Sequence, residues 1–222
     1  MINTPDYETA AIKAMELLRD SEISRTPIDA LSLLLKYPGV RVMSFANMAA
    51  SAGEKREQLV PLFGANQDAA TFNLDASIND VKYVVVYNMY LTMDVVMRGI
   101  ARELGHIVLN HDGMTRTPEA RLAEAKCFAH HLTSPRPILH MLQQSGMPLT
   151  ATVLADTTSC SLECAEDMQR IPGVHVPKEL NRQVKERFAA GINDYIRFHR
   201  ASQNTDNSQL IDLGHFMDFY EE

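Results

Sequence analysis

The residues best placed to do chemistry lie in the stretch Arg102-Glu103-Leu104-Gly105-His106. On a helix, residues four apart share a face, so positions 102 and 106 project side by side, with 103 beside them. In the pattern H-E-x-x-H, two imidazoles at this spacing bind zinc, and the glutamate takes a proton from a zinc-bound water. Here Glu103 stands at the general-base position and His106 at the second imidazole, but position 102 is arginine. A guanidinium keeps its protons and has no lone pair to donate. Arg102 therefore cannot ligate a metal. It also puts a fixed positive charge where a dication would sit.

More histidines and acids lie further along the chain. Asn110-His111-Asp112-Gly113 ends the helix, and a second helix, ARLAEAKCFAHHL, carries Glu124, His130 and His131. A shifted metal site could combine His106 and Glu124 with His111, His130 or His131. His111 is five residues from His106, poor same-face geometry unless the helix has ended. His130 and His131 are adjacent, so at most one points inward. The plainer expectation is surface or satisfied histidines. Without metal, Glu103 and Glu124 in one cavity would repel each other. Arg102 offers an internal, metal-replacing cation that can hold one or both by charge-assisted hydrogen bonds. Cys127, beside Phe128, and the pair Cys160 and Cys164 read as buried thiols rather than ligands or nucleophiles.

The elements that must position these residues are readable from periodicity. Thr4-Pro5-Asp6 predicts a helix start, followed by Ala11, Met15 and Leu18 at helical spacing. Thr26-Pro27 with Asp29 predicts another, ended by Pro38-Gly39. VRVMSF (40–45), AATFNLD (69–75) and VKYVVVYN (81–88) read as strands, the last two joined by a turn at Ile78-Asn79-Asp80. Val84–Val86 is apolar on both faces, so that strand should be central. GEKREQLVPLFG reads as a surface excursion. From Met93 the period turns helical through Val96, Ile100, Leu104 and Ile107, a helix over roughly 93–110. Thr117-Pro118-Glu119 starts the next helix, and Pro135 and Pro137 punctuate the segment beyond its end. LTATVLADTT and SLECAEDMQRI read as two short helices. Their helix-turn-helix outline carries acids where a recognition helix wants Arg, Asn or Gln. Residues 178–200 predict a long amphipathic helix, either a cover for the core or the seam of a homodimer. ASQNTDNSQ reads as a polar linker and LIDLGHFMDFYEE as an apolar-acidic tail.

MRGIARELGHIVLNHDG (97–113), with ARLAEAKCFAHHLTSPRPIL (120–139) after it, resembles the ImmA/IrrE-type (DUF955) metallopeptidases. These carry a helix of the form HELGHILLNH and a later one of the form ExEANxFAxxLLxP, which supplies an acidic zinc ligand. The resemblance covers roughly residues 5–172. It implies an α+β fold: a mainly helical zincin-like domain, 1–172, with a small sheet of about three strands packed beside the motif helix. Residues 173–222 then hold the long helix, linker and tail. Glu103 matches the general base and His106 the second zinc ligand. The later motif's two glutamates fall on Glu124 and Leu122, either of which could mark the family's acidic ligand, and its Asn falls on Lys126. Relatives cleave or displace helix-turn-helix repressors in phage, mobile-element or stress-response switches. The resemblance with its lost ligand implies a metal-free regulatory protein that binds a repressor-type partner. The alternative is a zinc endopeptidase of unusual ligation.

Composition sets outer bounds. With 21 Lys+Arg against 28 Asp+Glu the net charge is −7, which disfavours a broad nucleic-acid surface. At 45% hydrophobic and 22% charged residues, the chain has the proportions of a globular protein with a real core. Three cysteines are too few for a disulfide scaffold, and no apolar run approaches a membrane span. The N-terminal sequence lacks a basic start and an apolar run, so a cytoplasmic location is expected.

Overall fold

The computed structural model describes residues 3–53, 67–78, 80–113, 115–158, 160 and 174–204. Helix α1 (Tyr7–Asp20) starts two residues later than Thr4-Pro5 suggested. Both carboxylate oxygens of Asp6 are engaged by Thr9, one by its N–H and one by its hydroxyl, which makes Asp6 the cap. Helix α2 (Ala30–Leu35) is likewise capped by Asp29 rather than Thr26. Strand β1 (Val40–Ser44) runs straight into helix α3 (Phe45–Ala52). Phe45, read as the end of the strand, opens that helix, because the Ser44 hydroxyl accepts from the Asn47 N–H.

Strands β2 (Ala69–Ile78) and β3 (Val81–Tyr87) complete a three-stranded sheet in the order β1-β3-β2. Strand β3 is central, parallel to β1 and antiparallel to β2, and its Val85 and Val86 are fully buried. The motif helix α4 (Met93–Val108) lies against β2 and β3, so the fold is α+β with a small sheet beside that helix. A 3-10 turn, His111–Gly113, leads to α5 (Pro118–Thr133). Helices α6 (Arg136–Gln144), α7 (Ala151–Thr158) and α8 (Lys178–Asn204) complete the order. Pro137 does not break α6, because it sits in the first turn, where the missing N–H has no helical partner to lose. Residues 201–204, read as the start of a linker, extend α8. Cys164, SLECAEDMQRI, the tail and most of GEKREQLVPLFG lie outside the described residues.

One apolar core unites the helices. Leu18 of α1, Leu104 of α4, Phe128 of α5 and Phe188 of α8 are all fully buried within it. Helices α4 and α5 cross closely at Gly105, where a Cβ would stand 3.0 Å from the Phe128 ring and 3.1 Å from the Ala125 carbonyl. That crossing brings the polar face of α4 towards Glu124 on α5. Among the described residues, no helix is long and apolar enough to cross a membrane.

Candidate functional site

The polar face of α4 divides into two clusters. In the first, Arg102 spreads its fork over Asp68, just ahead of β2. Nη1 donates to Oδ2 at 3.0 Å and Nη2 to Oδ1 at 2.7 Å. The same guanidinium donates to Glu103 Oε1, from Nη2 at 2.9 Å and from Nε at 3.2 Å. The other Glu103 oxygen accepts from the Thr71 hydroxyl at 2.8 Å. Gly99, one turn before Arg102, makes room for this: a Cβ there would stand 2.7 Å from Asp68 Cγ.

One cation thus serves two acids, and their environments separate them. Burial pushes the Asp68 carboxyl up, but the hydrogen bonds and charge of Arg102 outweigh it and hold the group below its ordinary value. Glu103 is more deeply buried, and burial holds it above its ordinary value despite Arg102 and Thr71. Asp68 is the ionised partner of the guanidinium, and Glu103 is the acid that takes up a proton first.

The second cluster is a chain of hydrogen bonds. His106 Nδ1 lies 2.8 Å from His111 Nδ1, and His111 Nε2 lies 3.0 Å from Glu124 Oε2. A carboxylate can only accept, so His111 carries its hydrogen on Nε2. Its bare Nδ1 then accepts from Nδ1–H of His106. The other Glu124 oxygen accepts from Arg116 Nη1 at 2.7 Å and from the Asp6 N–H at 2.6 Å. Burial, reinforced by the charges of His111 and Arg102, holds His106 down at about 4. Burial also lowers His111, against the pull of Glu124. Both rings are neutral at pH 7.

These clusters answer several expectations. Arg102 does hold a carboxylate of the pair, Glu103, but its second partner is Asp68 and not Glu124. His111 faces back to His106 because α4 has ended at Val108 and the 3-10 turn reverses the chain. Glu124 is buried, whereas Leu122 is 40% exposed, so the inward acid of α5 is Glu124. His130 and His131 pack edge to face, and neither bonds to His106, His111 or Glu124 among the described contacts. His131 is buried and His130 only half-buried, in line with the expectation that at most one of the two points inward. The Cys127 thiol is pushed up to about 11 by burial and by Glu124, far from a nucleophile's range. Sequence reasoning did not single out Asp68, Thr71 or Arg116. Asp68 and Thr71 carry no local signal, and Arg116 precedes the helix it serves.

The donor set does not fit zinc. Position 102 has no lone pair. His111 spends its two nitrogens in opposite directions, on His106 and on Glu124, and both Glu124 oxygens are occupied. Among the described residues, no group of three His, Cys, Asp or Glu side chains could hold a metal ion. No protein-family model, curated protein or solved structure matches this chain.

Proposed function

We propose that this chain is a metal-free relative of the ImmA/IrrE-type metallopeptidases. In this reading it is a cytoplasmic regulatory module that binds a repressor-type protein of a phage or mobile-element switch and does not cleave it. The observation that carries the reading is the fork of Arg102 on Asp68 and Glu103. An internal cation stands in for the dication and draws the general-base position into a salt bridge. A base so engaged has no metal-polarised water to deprotonate. The site then offers charged and polar groups rather than chemistry, and recognition of a protein surface is what those can supply.

Two measurements on the purified protein test this. Elemental analysis after chelator treatment is expected to find no stoichiometric zinc. Ultracentrifugation with a helix-turn-helix repressor encoded beside the gene is expected to show a stable complex, with the repressor intact and Glu103→Gln still binding. Chelator-sensitive cleavage of that repressor would refute the reading.

A further inference from the structure

The hydrogen-bond chain of the second cluster runs from the interior outwards. At its inner end Glu124 accepts from Arg116, from the Asp6 N–H and from Nε2–H of His111. His111 is 2% exposed, so its ring is held in one place by its surroundings. With its hydrogen on Nε2, its Nδ1 is a bare acceptor, 2.8 Å from Nδ1 of His106. Burial keeps both rings neutral, so each carries one hydrogen. The hydrogen of His106 is therefore on Nδ1, and its Nε2 carries a lone pair.

That nitrogen is the outer end of the chain. His106 is half-buried, and its Nε2 makes no hydrogen bond among the described residues. The unpaired side-chain nitrogens sealed from solvent belong to Arg121, His130 and His131, and Nε2 of His106 is not one of them. A free neutral imidazole can carry its hydrogen on either nitrogen and so offer either polarity. Here Glu124, acting through His111, removes the choice. The outcome is the reverse of what a metal would offer. A zinc ion at this place would draw a carbonyl oxygen, whereas a lone pair draws a hydrogen. The fixed charges felt at the ring, those of Arg102 and Arg121, are both positive. They repel an ammonium or guanidinium donor and favour a neutral one. An amide N–H is such a donor, and the carbonyl of the same amide suits these charges.

We infer that Nε2 of His106 is a fixed acceptor for an amide N–H of the partner protein, with Glu124 and His111 as the positioning residues that set its polarity. This rests on the partner-binding function proposed above and names the group of the partner that is recognised at this site.

NMR of the ring nitrogens in the free full chain at pH 7 tests the polarity. Hydrogens are expected on Nδ1 of His106 and on Nε2 of His111. In the complex with the helix-turn-helix repressor encoded beside the gene, Nε2 of His106 is expected to couple across the hydrogen bond to an amide nitrogen of the repressor. His106→Phe is expected to weaken that complex about tenfold. His111→Phe touches nothing outside the chain, yet it should weaken the complex by a similar factor and let the hydrogen of His106 appear on Nε2. The double variant should bind no more weakly than either single one. If His111→Phe fails to fold, the ring spectrum and His106→Phe still decide. A hydrogen on Nε2 of His106 in the free chain, coupling to a lysine or arginine nitrogen, a His106→Phe variant that binds unchanged, or losses that simply add would each overturn the inference. A repressor that does not bind at all overturns the function proposed above and takes the partner of this inference with it. The ring spectrum is recorded without the repressor, so the two failures are told apart.

Discussion

Arg102→Ala would leave Asp68 and Glu103 facing each other without the guanidinium between them. Removing one partner of a buried pair costs about 3–5 kcal/mol, because the remaining charge is stranded. Arg102 and Asp68 keep 19% of their side-chain surface in contact with solvent, so the low end, about 3 kcal/mol in urea unfolding, is expected. Adding Asp68→Ala should recover part of that loss, since the stranded charge is then gone. Arg102→His alone is expected to gain little zinc affinity by calorimetry, because Glu124 remains held by Arg116, His111 and the Asp6 N–H. Acid sensitivity belongs to the same residues. His106 and His130 are held at about 4 against an ordinary 6.5, so between those values the unfolded chain binds more protons than the folded one. Stability therefore falls as pH is lowered through that window. Asp68, lowered, adds to the loss further down; Glu103, raised, acts the other way just above its ordinary 4.5. Urea midpoints are expected to drop from pH 7 to pH 5, and His130→Leu should flatten the decline. The charge at position 102 was legible in the sequence because it interrupts a known spacing. Its partner was not, because Asp68 lies 34 residues away on another element and no periodicity marks it.

Helix crossings set what these residues can reach. At Gly105, alanine would gain about 1 kcal/mol of helix propensity but press a methyl group onto Phe128 and the Ala125 carbonyl. Overpacking of that kind costs about 1–3 kcal/mol, so Gly105→Ala is expected to be destabilising on balance, read as a lower thermal midpoint. Gly99→Ala meets Asp68 instead, and its expected signature is the loss of the Arg102 clamp. Among the long helices, α1, α4 and α8 were readable from apolar spacing and α5 from its Thr117-Pro118-Glu119 start, and the central position of β3 was readable from its apolar run. Of the short ones, α2 and α7 were readable as well, whereas α3 and α6 were not. FANMAASA (45–52) continues from a strand without a break, so its start depends on the Ser44 cap. The residues of α6 were hidden behind two prolines, whose effect depends on which turn they occupy.

At the scale of the molecule, α8 is part of the common interior. Val184, Phe188 and Ile192 are fully buried in the same core as α1, α4 and α5. Its apolar stripe, read in sequence as a seam or a cover, spends these residues on the chain's own core. Phe188→Ala is expected to cost about 3–5 kcal/mol in urea unfolding, as for any large aromatic removed from a packed interior. The opening of α1 is tied in just as firmly, through the main-chain N–H of Asp6 on Glu124. That contact is indifferent to which side chain sits at position 6, since every residue except proline supplies the same amide. A side-chain inventory around Glu124 passes over this tie. Any side chain but proline at position 6 keeps this donor, while a small change in the path of the backbone there, which the Asp6 cap helps to set, is felt at the buried Glu124 carboxylate.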